Sequence, residues 1–196
     1  MGSPPATPVE PPIETLTMPN LRWYLLAAAL ALPAPSAAQD AFLSTAAHFH
    51  VGDELPLLIP VEGVSPRQLR DTYRASRSGG RAHDAIDIHA PRNTPVLAVA
   101  DGVIRKLHSG ERGGLSLYQM DDDGRTRYYY AHLDHYADGM TEGRRVRRGD
   151  VIGYVGDTGN AQPGDYHLHF SIAILPNASR WWEGTNVNPF DVLTSR

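Results

Sequence analysis

From residue 85 onward, apolar side chains come in short runs, several alternating with polar ones, and each run stops at Gly, Pro, Asn or Asp. Alternation with a period of two puts every second side chain on one face, so these runs predict strands. Residues 85–88 and 95–100 are largely apolar and β-branched, Asp101-Gly102 is a tight-turn dipeptide, and 103–107 follow it. Residues 115–120 and 126–133 flank Asp121-Asp122-Asp123-Gly124-Arg125, which predicts a hairpin. Residues 151–155, the loop Gly156-Asp157-Thr158-Gly159-Asn160 and residues 167–175 complete the series. Short strands at turn-rich intervals point to a mainly β, antiparallel sandwich or barrel-like single domain. Upstream, the run 55–61 is broken by Pro56 and Pro60 and is at best an edge strand. Ser65 and Pro66 have the order of a helix cap and first turn, and Ser78-Gly79-Gly80 is a flexible hinge.

The N-terminal part has a different pattern. Arg22 precedes an apolar run from Trp23 to Leu32, closed by Pro33 and Pro35 and followed by the small residues Ser36-Ala37-Ala38. That order is that of a secretory signal peptide, and the run falls short of the ~20 residues a spanning helix needs. Residues 1–17 are rich in proline and carry Glu10 and Glu14 where a signal peptide has bases, so Met18 is a better start than Met1. The expected organisation is a non-native or mis-assigned extension at 1–17, a signal peptide at 18–38, an N-terminal strap at 39–79 and the functional domain at 80–196. The protein is then expected in the periplasm or outside the cell, with no stable membrane anchor after cleavage. With no cysteine, neither a disulfide nor a lipid on an N-terminal cysteine is available. The formal charge of −4 gives no electrostatic reason to expect a nucleic acid partner, and the longest basic run, Arg144 to Arg148, reads as a solvated turn.

The candidate chemistry lies in two histidine motifs, His83-Asp84-Ala85-Ile86-Asp87 and His167-Leu168-His169, with His132 between them. Imidazole and carboxylate are the ligands zinc takes where cysteine is lacking. His167 and His169, two apart on a predicted strand, address one pocket while Leu168 faces away. His83 and Asp87 would be about 13 Å apart on a fully extended strand, so the chain must bend between them if they share an ion. The Gly79-Gly80 pair and Pro91 bracket that bend, with His83 on a loop and Asp87 at the strand's start. Five residues, His83, Asp87, His132, His167 and His169, compete for the roles of ligand and proton carrier, and spacing does not divide them. His48, His50, His89, His108 and His135 read as ordinary polar positions.

The order of motifs resembles a known family. His83 to Asp87, Ala90-Pro91-Arg92-Asn93-Thr94-Pro95-Val96, Asp101-Gly102-Val103, Tyr130-Ala131-His132-Leu133, Gly156 to Asn160 and His167-Leu168-His169-Phe170 look like the M23 metallopeptidases, the lysostaphin and LytM type of peptidoglycan endopeptidase. The resemblance covers roughly residues 80–175. It implies a fold of the duplicated hybrid motif type with a zinc groove, Zn2+ held by His83, Asp87 and His169, and His132 and His167 as catalytic histidines that do not bind the metal. It also implies peptidoglycan peptide stems as substrate. Where the family often has glycine this chain has Ala85 and Asn93, and Tyr166 stands where a proline often precedes the His-x-His. Asn tolerates positive φ, so Asn93 is expected to keep the turn.

The leading expectation is therefore a zinc endopeptidase cutting peptide cross-links through a zinc-activated water. The alternative is a catalytically weak or inactive module of the same fold that binds cell wall or activates an amidase. The presence of all five candidate residues favours activity. Specificity is expected to lie in the segments 110–114 and 134–145 and around Trp181-Trp182. No asparagine lies between Gln39 and His83, so a metal-capping latch built on that residue is not expected.

Overall fold

The structure is a computed structural model that describes residues 56–77, 80 and 82–195. The extension 1–17, the signal segment 18–38, both alternative starts, the first part of the strap, Leu55, His48, His50, Ser78 and Gly79 lie outside the described residues.

The strands are β1 (Ile86–His89), β2 (Pro95–Leu97), β3 (Gly102–Gly110), β4 (Gly114–Asp121), β5 (Thr126–Tyr136), β6 (Arg145–Val146), β7 (Val151–Val155), β8 (His167–Ile174) and β9 (Thr185–Val187), followed by a short helix α1 (Pro189–Thr194). Every pairing among the described residues is antiparallel. The mainly β, antiparallel domain is thus as expected. Its strands form one branched sheet, in the order β1-β8-β5-β4-β3-β6, with β2 and β7 attached through β5 and with β9 on β8.

The alternation read from the sequence decides what each face carries. Ile86 and Ile88 of β1, Leu168, Phe170 and Ile172 of β8, Tyr128 and Tyr130 of β5, Leu117 of β4 and Ile104 of β3 all turn inward and are buried in one core. The intervening Asp87, His167, His169 and Tyr129 turn to the other face. Two hydrogen-bonded pairs of polar side chains enter the core. Tyr130 donates its hydroxyl proton to Gln119 Oε1 at 2.7 Å while Gln119 Nε2 donates to the Ala100 carbonyl at 2.7 Å, and Tyr128 donates to Asp121 Oδ2 at 2.6 Å.

Strand β5 turns a corner. Up to Ala131 it pairs with β8, and from Leu133 it pairs with β7. Between the two stands His132 at φ 61°, and the register with β4 shifts at the same place. A bulge of this kind ends one ladder, starts another and re-aims a side chain.

Three local expectations change. Over its described residues, 56–61, the proline-broken run makes no strand, because Pro56 and Pro60 lack ladder donors; Leu58 N still donates to the Val99 carbonyl, and Val61 bridges to Val96. Pro66–Gln68 is one 3-10 turn, capped reciprocally by Ser65 and Gln68, and goes no further because Leu69 is extended. The basic run 144–148 is not only a solvated turn, since Arg145–Val146 forms β6 against β3, burying Val146 while Arg145 pairs with Asp122 at 2.5 Å.

Candidate active site

His83 reaches the site from a loop and Asp87 from β1, as the bend between them requires. The bend itself is at Asp84, at φ 54°, where Asp84 N donates to the Tyr73 carbonyl and His83 N to the Ala75 carbonyl. Asp87 stands directly opposite His169 in the β1–β8 register. The donor atoms of His83, Asp87 and His169 consequently lie within 4.8 Å of one another. His83 Nε2 is 2.9 Å from His169 Nδ1 and 3.0 Å from Asp87 Oδ1, and His169 Nδ1 is 3.2 Å from the same oxygen.

The other two histidines face this cluster. The rings of His132 and His167 are 4.9 Å apart between centroids, and His132 is 5.7 Å from the His169 ring. His167 turns its Nε2 to within 3.9 Å of Asp87 Oδ1. All five candidate residues therefore line one groove of about 540 Å³, along with Arg77, Arg112, Tyr129, Asn160, Gln162 and Asp165.

Main-chain carbonyls fix how these rings are protonated. His83 Nδ1 is 2.9 Å from the Thr72 carbonyl, His132 Nδ1 is 2.7 Å from that of Thr158, and His167 Nδ1 is 2.7 Å from that of Asp165. A carbonyl only accepts, so each Nδ1 is the donor and each Nε2 keeps its lone pair for the groove. Burial pushes the His132 imidazolium pKa down to about 4, against the opposing pull of its hydrogen bond to Thr158. Burial also lowers that of His169, with Asp87 opposing. For Asp87 burial works against ionisation, yet the contacts with His169 and His83 outweigh it and hold the carboxyl well below the usual carboxylate range. Burial thus disposes His132 and His169 to stay neutral beside an ionised carboxylate.

Four residues with no signal in the sequence complete it. Thr72 and Thr158 act through their carbonyls, which any residue type has, and Thr72 Oγ1 also accepts from Asp87 N at 3.1 Å. Arg77 lays its guanidinium against Asp87 Oδ2 and donates to His83 Nε2 at 2.5 Å. Asp165 sits beside His167. Of the segments expected to shape specificity, only 110–114 borders the groove, through Arg112 and Gly113. Beyond His132 the chain is drawn into pairing with β7, and Trp181 packs edge-on against Tyr118, 5.3 Å between centroids, so residues 134–145 and the tryptophans lie elsewhere. The loop 160–162 takes their place. Asn93 adopts φ 67°, as expected of its turn.

Two histidines and a carboxylate in one groove, faced by two further histidines, form the arrangement of a metallohydrolase site. The chain belongs to peptidase family M23, whose model matches residues 81–189. It is 34% identical over 119 residues to the L-Ala--D-Glu endopeptidase of Bacillus subtilis, covering 57% of this chain and 36% of that protein. It is 38% identical over 113 residues to the DD-carboxypeptidase/endopeptidase Mpg of Neisseria meningitidis serogroup B, covering 57% of this chain and 23% of that one. The catalytic domain of the antimicrobial peptidase lysostaphin from Staphylococcus simulans superposes with a TM-score of 0.55 at 28% identity, over 65% of this chain and 92% of that domain. The chain thus spans about a third or less of the length of these two curated relatives, but nearly all of the lysostaphin catalytic domain.

Proposed function

We propose that the protein is an exported zinc endopeptidase that hydrolyses peptide cross-links of peptidoglycan. The observation that carries this reading is the convergence of His83, Asp87 and His169 with two non-equivalent histidines, His132 and His167, in one groove. The donor set fits zinc: two imidazoles and a carboxylate with mutually close donor atoms, one ring oriented by a carbonyl behind it. The cluster already selects a cation, since the Arg77 guanidinium lies against both His83 and Asp87.

In this reading His83 Nε2, Asp87 and His169 Nδ1 hold the metal. When bound, zinc supplies a Lewis acid that polarises the scissile carbonyl and makes water acidic enough to react near neutral pH. His132 and His167 do the proton work. Both turn an unprotonated Nε2 toward the groove, so either can accept the proton of the attacking water, and the imidazolium so formed can return it to the leaving amine. Burial makes His132 reluctant to keep a proton, which suits it to hydrogen bonding and rapid return. The openness of the groove, bordered by the short segments at Arg112 and Asn160, admits a branched peptide. The names of the Bacillus, Neisseria and Staphylococcus relatives as peptidases support the substrate class. Export is supported by the signal-like pattern at 18–38.

The test is metal content together with turnover on purified sacculi. One tightly held zinc per chain is expected, with turnover lost on chelation and restored by zinc. Full turnover in a chain stripped of metal would overturn the reading.

A further inference from the structure

One register step from the Asp87/His169 pair, on the same face of the same two strands, the sheet repeats the arrangement. His89, two residues after Asp87, stands directly opposite His167. Their rings lie 5.4 Å apart between centroids. Asp165, two residues before His167, contributes a carboxylate: Oδ1 is 3.5 Å from His89 Nδ1 and Oδ2 is 3.8 Å from His167 Nδ1. The donor atoms of His89, Asp165 and His167 lie within 4.8 Å of one another, the same spread and the same composition, two imidazoles and a carboxylate, as the first cluster. Ligands about 2 Å from a tetrahedral ion stand roughly 3.3 Å apart, so small side-chain movements close the set. The side chains are free to make them, at 63% exposed for His89 and 49% for Asp165, and the Asp165 carboxylate has no partner among the described residues beyond these two histidines.

We propose that His89, Asp165 and His167 form a second, weaker zinc site, and that filling it silences the first. Binding needs only the ligand chemistry; the silencing rests on the role assigned to His167 above. His167 is shared between the two clusters, with Nε2 toward Asp87 and Nδ1 toward Asp165. Its Nδ1 proton is donated to the Asp165 carbonyl. An ion on Nδ1 takes the place of that proton, and an imidazole that ligates through Nδ1 carries its N–H at Nε2. The nitrogen facing the groove then changes from acceptor to donor and can no longer take a proton from water. His89 itself does not line the groove and meets the machinery only through His167 and Asp165, so the sensor can be removed while the five groove residues stay in place.

The experiment is a zinc titration of the metal-depleted full chain, reading bound zinc by equilibrium dialysis and turnover in parallel. Wild type should bind two ions, the second at least about 100-fold more weakly, and its rate should rise with the first ion and fall with the second. His89→Ala should bind one ion, keep the basal rate and show no fall at excess zinc, and Asp165→Asn should weaken the second ion. His83→Ala should lose the tight ion and retain the weak one, and adding His89→Ala should remove that too. A wild-type chain that saturates at one ion, or a His89→Ala chain that still binds two, overturns the site. Equal inhibition of both chains by excess zinc overturns the silencing. Two bound ions without turnover would contradict the peptidase reading and leave the second site standing.

Discussion

The carbonyls of Thr72, Thr158 and Asp165 each take an Nδ1 proton, so His83, His132 and His167 all turn an unprotonated Nε2 to the groove. Similar tautomers serve two different tasks, and substitution separates them. His83→Ala, Asp87→Ala and His169→Ala should each lose most bound zinc, because each removes one of three donor groups. His132→Ala and His167→Ala should keep the tightly held zinc while turnover falls by about 10² to 10⁴-fold, the usual worth of a proton-transfer group. Elemental analysis beside turnover checks both, and full zinc in any of the first three removes that residue from the ligand set. Proton linkage gives a second expectation. The His132 pKa is lowered to about 4 in the folded chain, so between roughly pH 6.5 and pH 4 the unfolded chain binds the proton more readily. Stability of the metal-free protein should therefore be full above that window and decline as pH falls through it. His169 contributes in the same direction. His132→Gln should flatten the pH dependence of Tm there without abolishing it, and an unchanged slope would contradict the burial of an uncharged ring.

At the scale of elements, the site depends on the corner in β5. His132 N donates to the Gly113 carbonyl at 2.8 Å, and Asn160 N donates to the Arg112 carbonyl at 3.0 Å, which pins the β3–β4 turn to the loop that follows β7. The two segments touch backbone to backbone at Gly114 and Gly159. A Cβ on Gly159 would stand 2.2 Å from Gly114 N and 2.5 Å from the Arg112 carbonyl oxygen, at a φ of 79° that also disfavours a side chain. Gly159→Ala should push the turn and loop apart, moving the Thr158 carbonyl off His132. Turnover should then slow by about 10-fold or more, as misplacement of a reacting group does, with zinc retained and Tm lowered. Turnover at the wild-type rate would show that the crossing does not position His132. The strands themselves were legible, because their period-two patterns survive in the burial of Ile86 and Ile88, Tyr128 and Tyr130, and Leu168 and Phe170. The corner was not, since a histidine at positive φ has no marker in sequence. Nor were β6 and β9, which are too short for any period and form only because a longer neighbour offers a ladder.

At the scale of the whole molecule, side chains distant in sequence meet because β8 lies between β1 and β5. His83, Asp87, His132, His167 and His169 were legible as a set from residue type and motif order, and the register of β1 with β8 explains why spacing on one strand did not limit them. Their supports were not legible, since Thr72, Thr158 and Asp165 orient the rings through backbone carbonyls, which every residue type has, and neither was His89, whose significance exists only opposite His167. Among the described residues no helix is long and apolar enough to cross a membrane. With no disulfide available, the metal is expected to tie the loop of His83 to the sheet. Zinc at about 1,000 times its dissociation constant adds about 4 kcal/mol to folding stability, roughly 10 °C in Tm for a domain of this size. Chelation should lower Tm by that order in wild type and leave His169→Ala unmoved; an unaltered wild-type Tm would mean that no ion bridges these elements. The most direct test of the central claim is the bond that is cut. Purified sacculi digested with the zinc-loaded chain, and with His83→Ala as control, should yield peptide-linked muropeptide dimers converted to monomers by mass spectrometry, with glycan strands intact and the control inert. Dimers that persist under the active chain, or glycan cleavage in their place, would contradict it.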